Sequence, residues 1–189
     1  MIRIGILGDI GSGKSYVAKN FGYPVFNADR EVGILYKKNK KIFYKLNKIL
    51  PNYIYSYPIK KSEITNAILK NKLNLKKIIK IVHIEIRKKM NNFIKINKKK
   101  KFIILDIPLL LENKINKKTD ILVFIQSKKS DSLKRLKKRE NYNSQLLKIF
   151  SDIQLPLDYK INKSHFIIKN DFTRKTVKKN VNNILNKIR

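Results

Sequence analysis

The eight residues Gly8-Asp9-Ile10-Gly11-Ser12-Gly13-Lys14-Ser15 constrain this chain more than any others. They satisfy G-x-x-x-x-G-K-[ST] at every fixed position and follow directly on the apolar run Ile4 to Leu7. Glycines allow backbone conformations that a side chain forbids, so successive N–H groups can turn inward around phosphate oxygens. In such a loop Lys14 reaches the β- and γ-phosphates, and the Ser15 hydroxyl is placed to bind Mg²⁺. Tyr16 to Lys19 continue as helix, which sets the phosphates on a helix N-terminus where unpaired N–H groups and the dipole favour anions. Gly8, Gly11, Ser12, Gly13, Lys14, Ser15 and Tyr16 are therefore the candidate nucleotide-binding residues.

The pattern around the loop predicts an α/β fold. Strands are expected over Arg3 to Leu7, Tyr23 to Phe26, Phe102 to Leu105, Ile121 to Ile125 and Phe166 to Ile168. Helices are expected over Gly13 to Asn20, Asp131 to Arg139, Gln145 to Ile153 and Arg174 to Ile188. Strands alternating with helices specify a doubly wound parallel sheet, here of five strands. Between Arg30 and Lys101 glycine is scarce and apolar residues recur at helical spacing. Ile78, Ile81, Val82 and Ile86 mark one buried stripe on a helix from Leu75 to Ile96, and Ser62 heads another helix with Glu63 in its first turn. This stretch reads as a helical insertion into a single domain.

Composition narrows the function classes. With no cysteine, disulfides and thiolate metal sites are excluded. No charged leader or long uninterrupted apolar segment is present, so a soluble cytoplasmic protein without a membrane partner is expected. The 45 Lys+Arg against 13 Asp+Glu give a net charge of +32. That raises nucleic-acid binding as an alternative. The excess is mostly lysine scattered among Asn and Ile, with no stacking-aromatic module beside it, so a solvated surface is the preferred reading. A basic field would still attract a polyanionic nucleotide.

Against this background the acids stand out. Asp29 and Asp106 each close an expected strand at the sheet edge that the loop also occupies, and Glu112 follows nearby. Phosphoryl transfer needs one carboxylate at the acceptor and another near the metal shell, although capping by Asp29 and a turn role for Asp106 are the structural alternatives. Arg135 and Arg139 lie four apart and share a face if helical; their planar forks suit phosphate oxygens, or they line an exposed face. His83 and Arg87 repeat that spacing, with a purely structural histidine as the alternative.

Taken together these residues resemble the dephospho-CoA kinases, P-loop proteins of the nucleoside-monophosphate-kinase-like group. The likeness includes Gly8 to Ser15, Asn27-Ala28-Asp29, Ile81-Val82-His83 with Arg87, and Leu105-Asp106-Ile107-Pro108-Leu109-Leu110 with Glu112. It continues through Arg135-Leu136 with Arg139, Gln154-Leu155-Pro156 with Lys160, and Ile168 with Asn170. The resemblance implies a core of about 1–30, 102–125 and 160–189, a substrate-binding helical insertion of about 31–101, and a lid of about 126–159. It implies transfer of the ATP γ-phosphoryl group, with Mg²⁺, to the ribose 3′-hydroxyl of dephospho-CoA, the last step of coenzyme A synthesis. Asp29 would orient or deprotonate that hydroxyl, and Lys14, Arg135 and Arg139 would serve catalysis. Asn170 would join the nucleotide site, and His83, Arg87 and Asp106 would join Asp29 in binding the acceptor. Four positions depart from the family pattern: Asn27 for an aspartate, Ile84 for a proline, His165 for an aspartate and Phe172 for a glycine. Another small-molecule P-loop kinase, or a basic nucleic-acid-binding protein with a structural loop, are the competing functions.

Overall fold

The structure is a computed structural model, and it describes residues 1–188. Contacts group the described residues into two compact units, one of residues 1–27, 96–142 and 153–188 and one of residues 28–95 and 143–152.

The first unit is built on five parallel strands: β1 (Ile2–Gly8), β2 (Val25–Asn27), β3 (Phe102–Asp106), β4 (Ile121–Gln126) and β5 (Phe166–Lys169). They lie in the order β2-β3-β1-β4-β5. β1 is central, and six of its seven residues are buried, as a strand covered on both faces must be. Its register sets Gly5 against Leu105 on one side and Leu122 on the other. One face of the sheet packs Ile4, Ile6, Ile104, Val123, Ile125 and Ile168 against Val17, Ala18 and Phe21 and against Val177, Val181, Ile184 and Leu185. These belong to α1 (Lys14–Asn20) with its C-terminal cap and to a long C-terminal helix, Arg174–Lys187. On the opposite face Leu110 closes over Gly5, where an added Cβ would meet its Cδ2 at 2.6 Å. That residue must stay small.

Arg3 is an unusual side chain for a central strand. Its Nη2 donates to Asp120 Oδ2 at 2.9 Å and to the Ile115 carbonyl at 3.3 Å, and Asp120 also accepts from the Lys117 N–H. Burial pushes the Asp120 carboxyl above its usual range, while the Lys117 N–H and the Arg3 charge pull it back. The pair fastens the approach to β4 at the sheet edge opposite the phosphate loop.

The second unit is helical: α2 (Ala28–Lys38), α3 (Lys40–Ile49), α4 (Lys61–Lys70), α5 (Lys72–Ile96) and, from later in the chain, α7 (Ser144–Asp152). The stripe on α5 is Leu75, Ile78, Val82, Ile86 and Met90, at steps of three and four; Ile81, expected in it, is only half-buried. Asn39 caps α3 by accepting from the Ile42 N–H. Ser62 does not cap α4, because the helix begins one residue earlier and Lys60 holds the cap position. Glu63, 3 % exposed, instead turns back to accept from the Ser56 hydroxyl and from the N–H groups of Tyr55 and Ser56. Lys89 bonds Glu31 at 2.8 Å and ties α5 to α2. Of the stretch 126–159 expected as a lid, residues 143–152 group with the helices and the remainder with the sheet.

Among the described residues, no helix is long and apolar enough to cross a membrane.

Candidate active site

The phosphate loop leaves β1 and closes on itself through Ser12 N–H to Asp9 carbonyl and Ile10 N–H to the Asp9 carboxylate. Lys14 folds over it, with Nζ donating to the Gly8 carbonyl at 3.1 Å and the Asp9 carbonyl at 2.7 Å. Two glycines are required by their surroundings as well as by conformation. At Gly11, with φ +84°, a Cβ would meet Leu136 at 2.8 Å; at Gly13, with φ +88°, it would meet Asn170 Nδ2 at 2.5 Å. The first contact presses the loop against α6 (Lys129–Lys137), and the second against the turn after β5. Tyr16 sits 40 % exposed on the outer side of α1.

Asn170 is placed behind the loop. Its amide donates to the Ser12 carbonyl at 2.8 Å, and its Oδ1 accepts from the Phe172 N–H, so both polar ends are engaged within the protein. Ser12 is itself 1 % exposed and its hydroxyl has no hydrogen-bond partner. The next two residues continue the turn. Hydrogen bonds, the Thr173 N–H foremost and then the Thr176 hydroxyl, hold the Asp171 carboxyl below its ordinary range.

At the carboxyl ends of β2 and β3, Asn27 and Asp106 are register partners. The Asn27 amide donates to the Asp106 carboxylate and lies 3.4 Å from the Ser15 hydroxyl. Ser15, Asn27 and Asp106 therefore converge, with Asp106 only 2 % exposed. Where two carboxylates would repel, the amide of Asn27 supplies a donor and the contact becomes attractive. The oxygens of Ser15 and Asp106 suit a hard cation such as Mg²⁺, which keeps several waters and binds through one or two carboxylates and the substrate phosphates. Among the described residues no three His, Cys, Asp or Glu side chains cluster as metal ligands.

Arg135 lies on α6, next to the buried Leu136 that packs on Gly11, and the Ser127–Ser132 hydroxyl pair at 2.7 Å fastens the start of that helix to the end of β4. Its guanidinium stands 4.5 Å from the centre of the Phe172 ring. Arg139 does not share a helical face with it. α6 ends at Lys137, and Arg139 lies in the following turn, its N–H on the Leu136 carbonyl. The helix ends two residues before the expected boundary, with Lys138 at its C-cap.

In the helical unit, Asp29 is exposed in the first turn of α2 and not at a strand end, because β2 stops at Asn27 and the helix begins at once. It is inside the helix, so it is not its N-cap. His83 and Arg87 do lie four apart on α5. Burial, and secondarily the Arg87 charge, hold the His83 imidazole below its ordinary value.

Two arrangements had no counterpart in the sequence reasoning. Lys160, 1 % exposed, bonds Glu112 at 2.7 Å and Gln154 at 2.8 Å, and Glu112 also accepts from the Leu155 N–H. These residues were visible as motif letters, but only the fold shows that they are one buried network. The Arg135–Phe172 stack is the other; its signal was a large residue at a position where a glycine is usual.

A strand–loop–helix phosphate site on a parallel sheet, with a carboxylate at the neighbouring strand end and an arginine on the adjoining helix, defines a P-loop kinase fold. Solved structures share it: a Thermus thermophilus protein with TM-score 0.78 at 21 % identity, covering 100 % of this chain and 98 % of that one, and the dephospho-CoA kinase of Campylobacter jejuni with TM-score 0.62 at 22 % identity, covering 98 % and 96 %. The sequence matches the dephospho-CoA kinase family over residues 2–176, and it is 33 % identical to the dephospho-CoA kinase of Wolbachia pipientis wMel across 98 % of this chain and 97 % of that one. This chain belongs to the dephospho-CoA kinase family.

Proposed function

We propose that the protein phosphorylates the ribose 3′-hydroxyl of dephospho-CoA with ATP, giving coenzyme A and ADP. The observation that carries this is an intact Gly8–Ser15 loop facing the Asn27–Asp106 pair in a chain that matches the family over residues 2–176. Lys14 would exchange its two loop carbonyls for β- and γ-phosphate oxygens, so its charge is already held where it is needed. Ser15 would hold Mg²⁺, and Asp106, expected at the acceptor, would join it in the metal shell because Asn27 bonds it beside the Ser15 hydroxyl; the ion when bound would neutralise charge on the transferring phosphoryl group. Asp29 would accept or orient the proton of the 3′-hydroxyl as its oxygen attacks the γ-phosphorus and the bond to ADP breaks. Arg135 and Arg139 would bind phosphate oxygens, with Arg139 reaching from its turn. His83 and Arg87 would contact the acceptor, with the imidazole neutral at pH 7. Asn170 would act from behind, by keeping Ser12 and the loop in shape.

The test is ADP release measured with and without dephospho-CoA. Release that depends on dephospho-CoA supports the assignment, and release that depends on another hydroxyl acceptor would move the enzyme to a different small-molecule kinase.

A further inference from the structure

We propose that Phe172 is a positioning residue for Arg135, which it holds at the mouth of the phosphate loop; this rests on the reading of Arg135 as a nucleotide-binding arginine. Phe172 has φ +64°, a left-handed conformation that a bulky side chain adopts only at a cost. The surrounding turn imposes it. Asn170 Oδ1 accepts from the Phe172 N–H, Asp171 Oδ1 accepts from the Thr173 N–H, and Asn170 is anchored in turn on the Ser12 carbonyl. A glycine would satisfy this backbone without strain. The phenylalanine that stands there instead brings a ring with contacts of its own.

The ring has two neighbours that matter. Its Cε1 comes within 3.2 Å of where a Cβ on Gly13 would be, and the Arg135 guanidinium stacks over it at 4.5 Å. Phe172 thus touches the phosphate loop on one side and the arginine on the other. α6 alone does not hold the Arg135 side chain, which is exposed; only the helix backbone is fixed, by Leu136 and Ser132. An arginine carries several rotatable bonds, and immobilising it on a flat ring lowers the entropy lost when it engages phosphate oxygens.

The test uses Phe172→Gly, Phe172→Tyr, Arg135→Ala and the double variant Phe172→Gly/Arg135→Ala, each with its melting temperature. Phe172→Gly is expected to melt no lower than wild type, because the left-handed residue is relieved, yet to lose about 3- to 10-fold in kcat/KM for ATP, the scale of one cation–ring contact. Phe172→Tyr should restore the rate. In the Arg135→Ala background the glycine replacement should cost nothing further, since the ring then has no arginine to hold. A loss from Phe172→Gly that persists undiminished without Arg135 would overturn the proposal and make the ring an independent contact. So would wild-type kinetics for Phe172→Gly beside an impaired Arg135→Ala. If Arg135→Ala itself has wild-type kinetics, the reading of Arg135 fails, and this inference with it.

Discussion

Asn27 and Asp29 are two residues apart, yet the first ends β2 and the second lies in the first turn of α2. Asp29→Asn keeps size and hydrogen-bonding capacity and removes the charge. The lost first-turn charge is worth about 0.3–1 kcal/mol to the helix, so the variant should melt slightly below wild type, while the single-turnover rate falls by roughly 10²–10⁴ with ATP affinity little changed. Loss of ATP–Mg²⁺ affinity as well would move Asp29 into the metal shell. His83 gives a pH-dependent expectation. Burial and Arg87 keep its folded form neutral below the ordinary imidazole value of about 6.5. The unfolded chain takes up a proton as pH falls through that value and the folded one lags, so folding loses stability on the acid side. Melting curves from pH 7 to pH 5 should therefore fall less for His83→Gln than for the wild type. The departures from the family pattern become legible at this scale only with coordinates. His165 stands for an aspartate, and its Nδ1 accepts from the Leu122 N–H at 3.0 Å, a bond a carboxylate could also make. Sequence shows the substitution but not the donor waiting for it.

The strands and the long helices could be read from pattern, because continuous apolar runs and three-and-four spacing leave few alternatives. β3, β4 and β5 extend only one residue beyond expectation, and α5 begins three residues early. Short or polar elements were less visible. α8 (Leu157–Asn162) is six residues with a buried lysine, and α2 and α3 are separated only by the Asn39 cap. Periodicity alone puts Arg135 and Arg139 on one helical face, and the end of α6 at Lys137 breaks that face. The packing of α6 on the loop leads to a prediction: Gly11→Ala must displace Leu136 and adopt φ +84°, so ATP affinity should fall, by roughly tenfold in a titration, with the sheet still folded. Arg135→Lys should impair turnover despite its retained charge, since an ammonium neither stacks on Phe172 as a plane nor grips phosphate with a fork. Wild-type kinetics in that variant would assign the arginine to a solvated face.

For the molecule as a whole, fastening and chemistry occupy opposite edges of one sheet. Asp120→Ala leaves the Arg3 charge buried without its partner and should cost about 3–5 kcal/mol in urea denaturation, with ATP affinity per folded molecule unchanged. The net charge of +32 makes a contrasting prediction. Turnover should vary only mildly with salt if the charge is a solvated surface, whereas binding to a nucleic acid by counterion release would collapse between about 50 and 200 mM. The strand order has a consequence for how the chain comes into being. β1 precedes the other strands but does not pair with β2, the next strand in sequence; its partners are β3 and β4, which begin at residues 102 and 121. On the ribosome the first strand must wait, both edges open, until more than half the chain has been synthesised. The phosphate loop cannot take its shape before then, and complete it only when Asn170 arrives. Nascent chains stalled before residue 102 should therefore carry helices but no nucleotide site, with two open edges on β1 that only a charged, lysine-rich chain guards against pairing with a neighbour's.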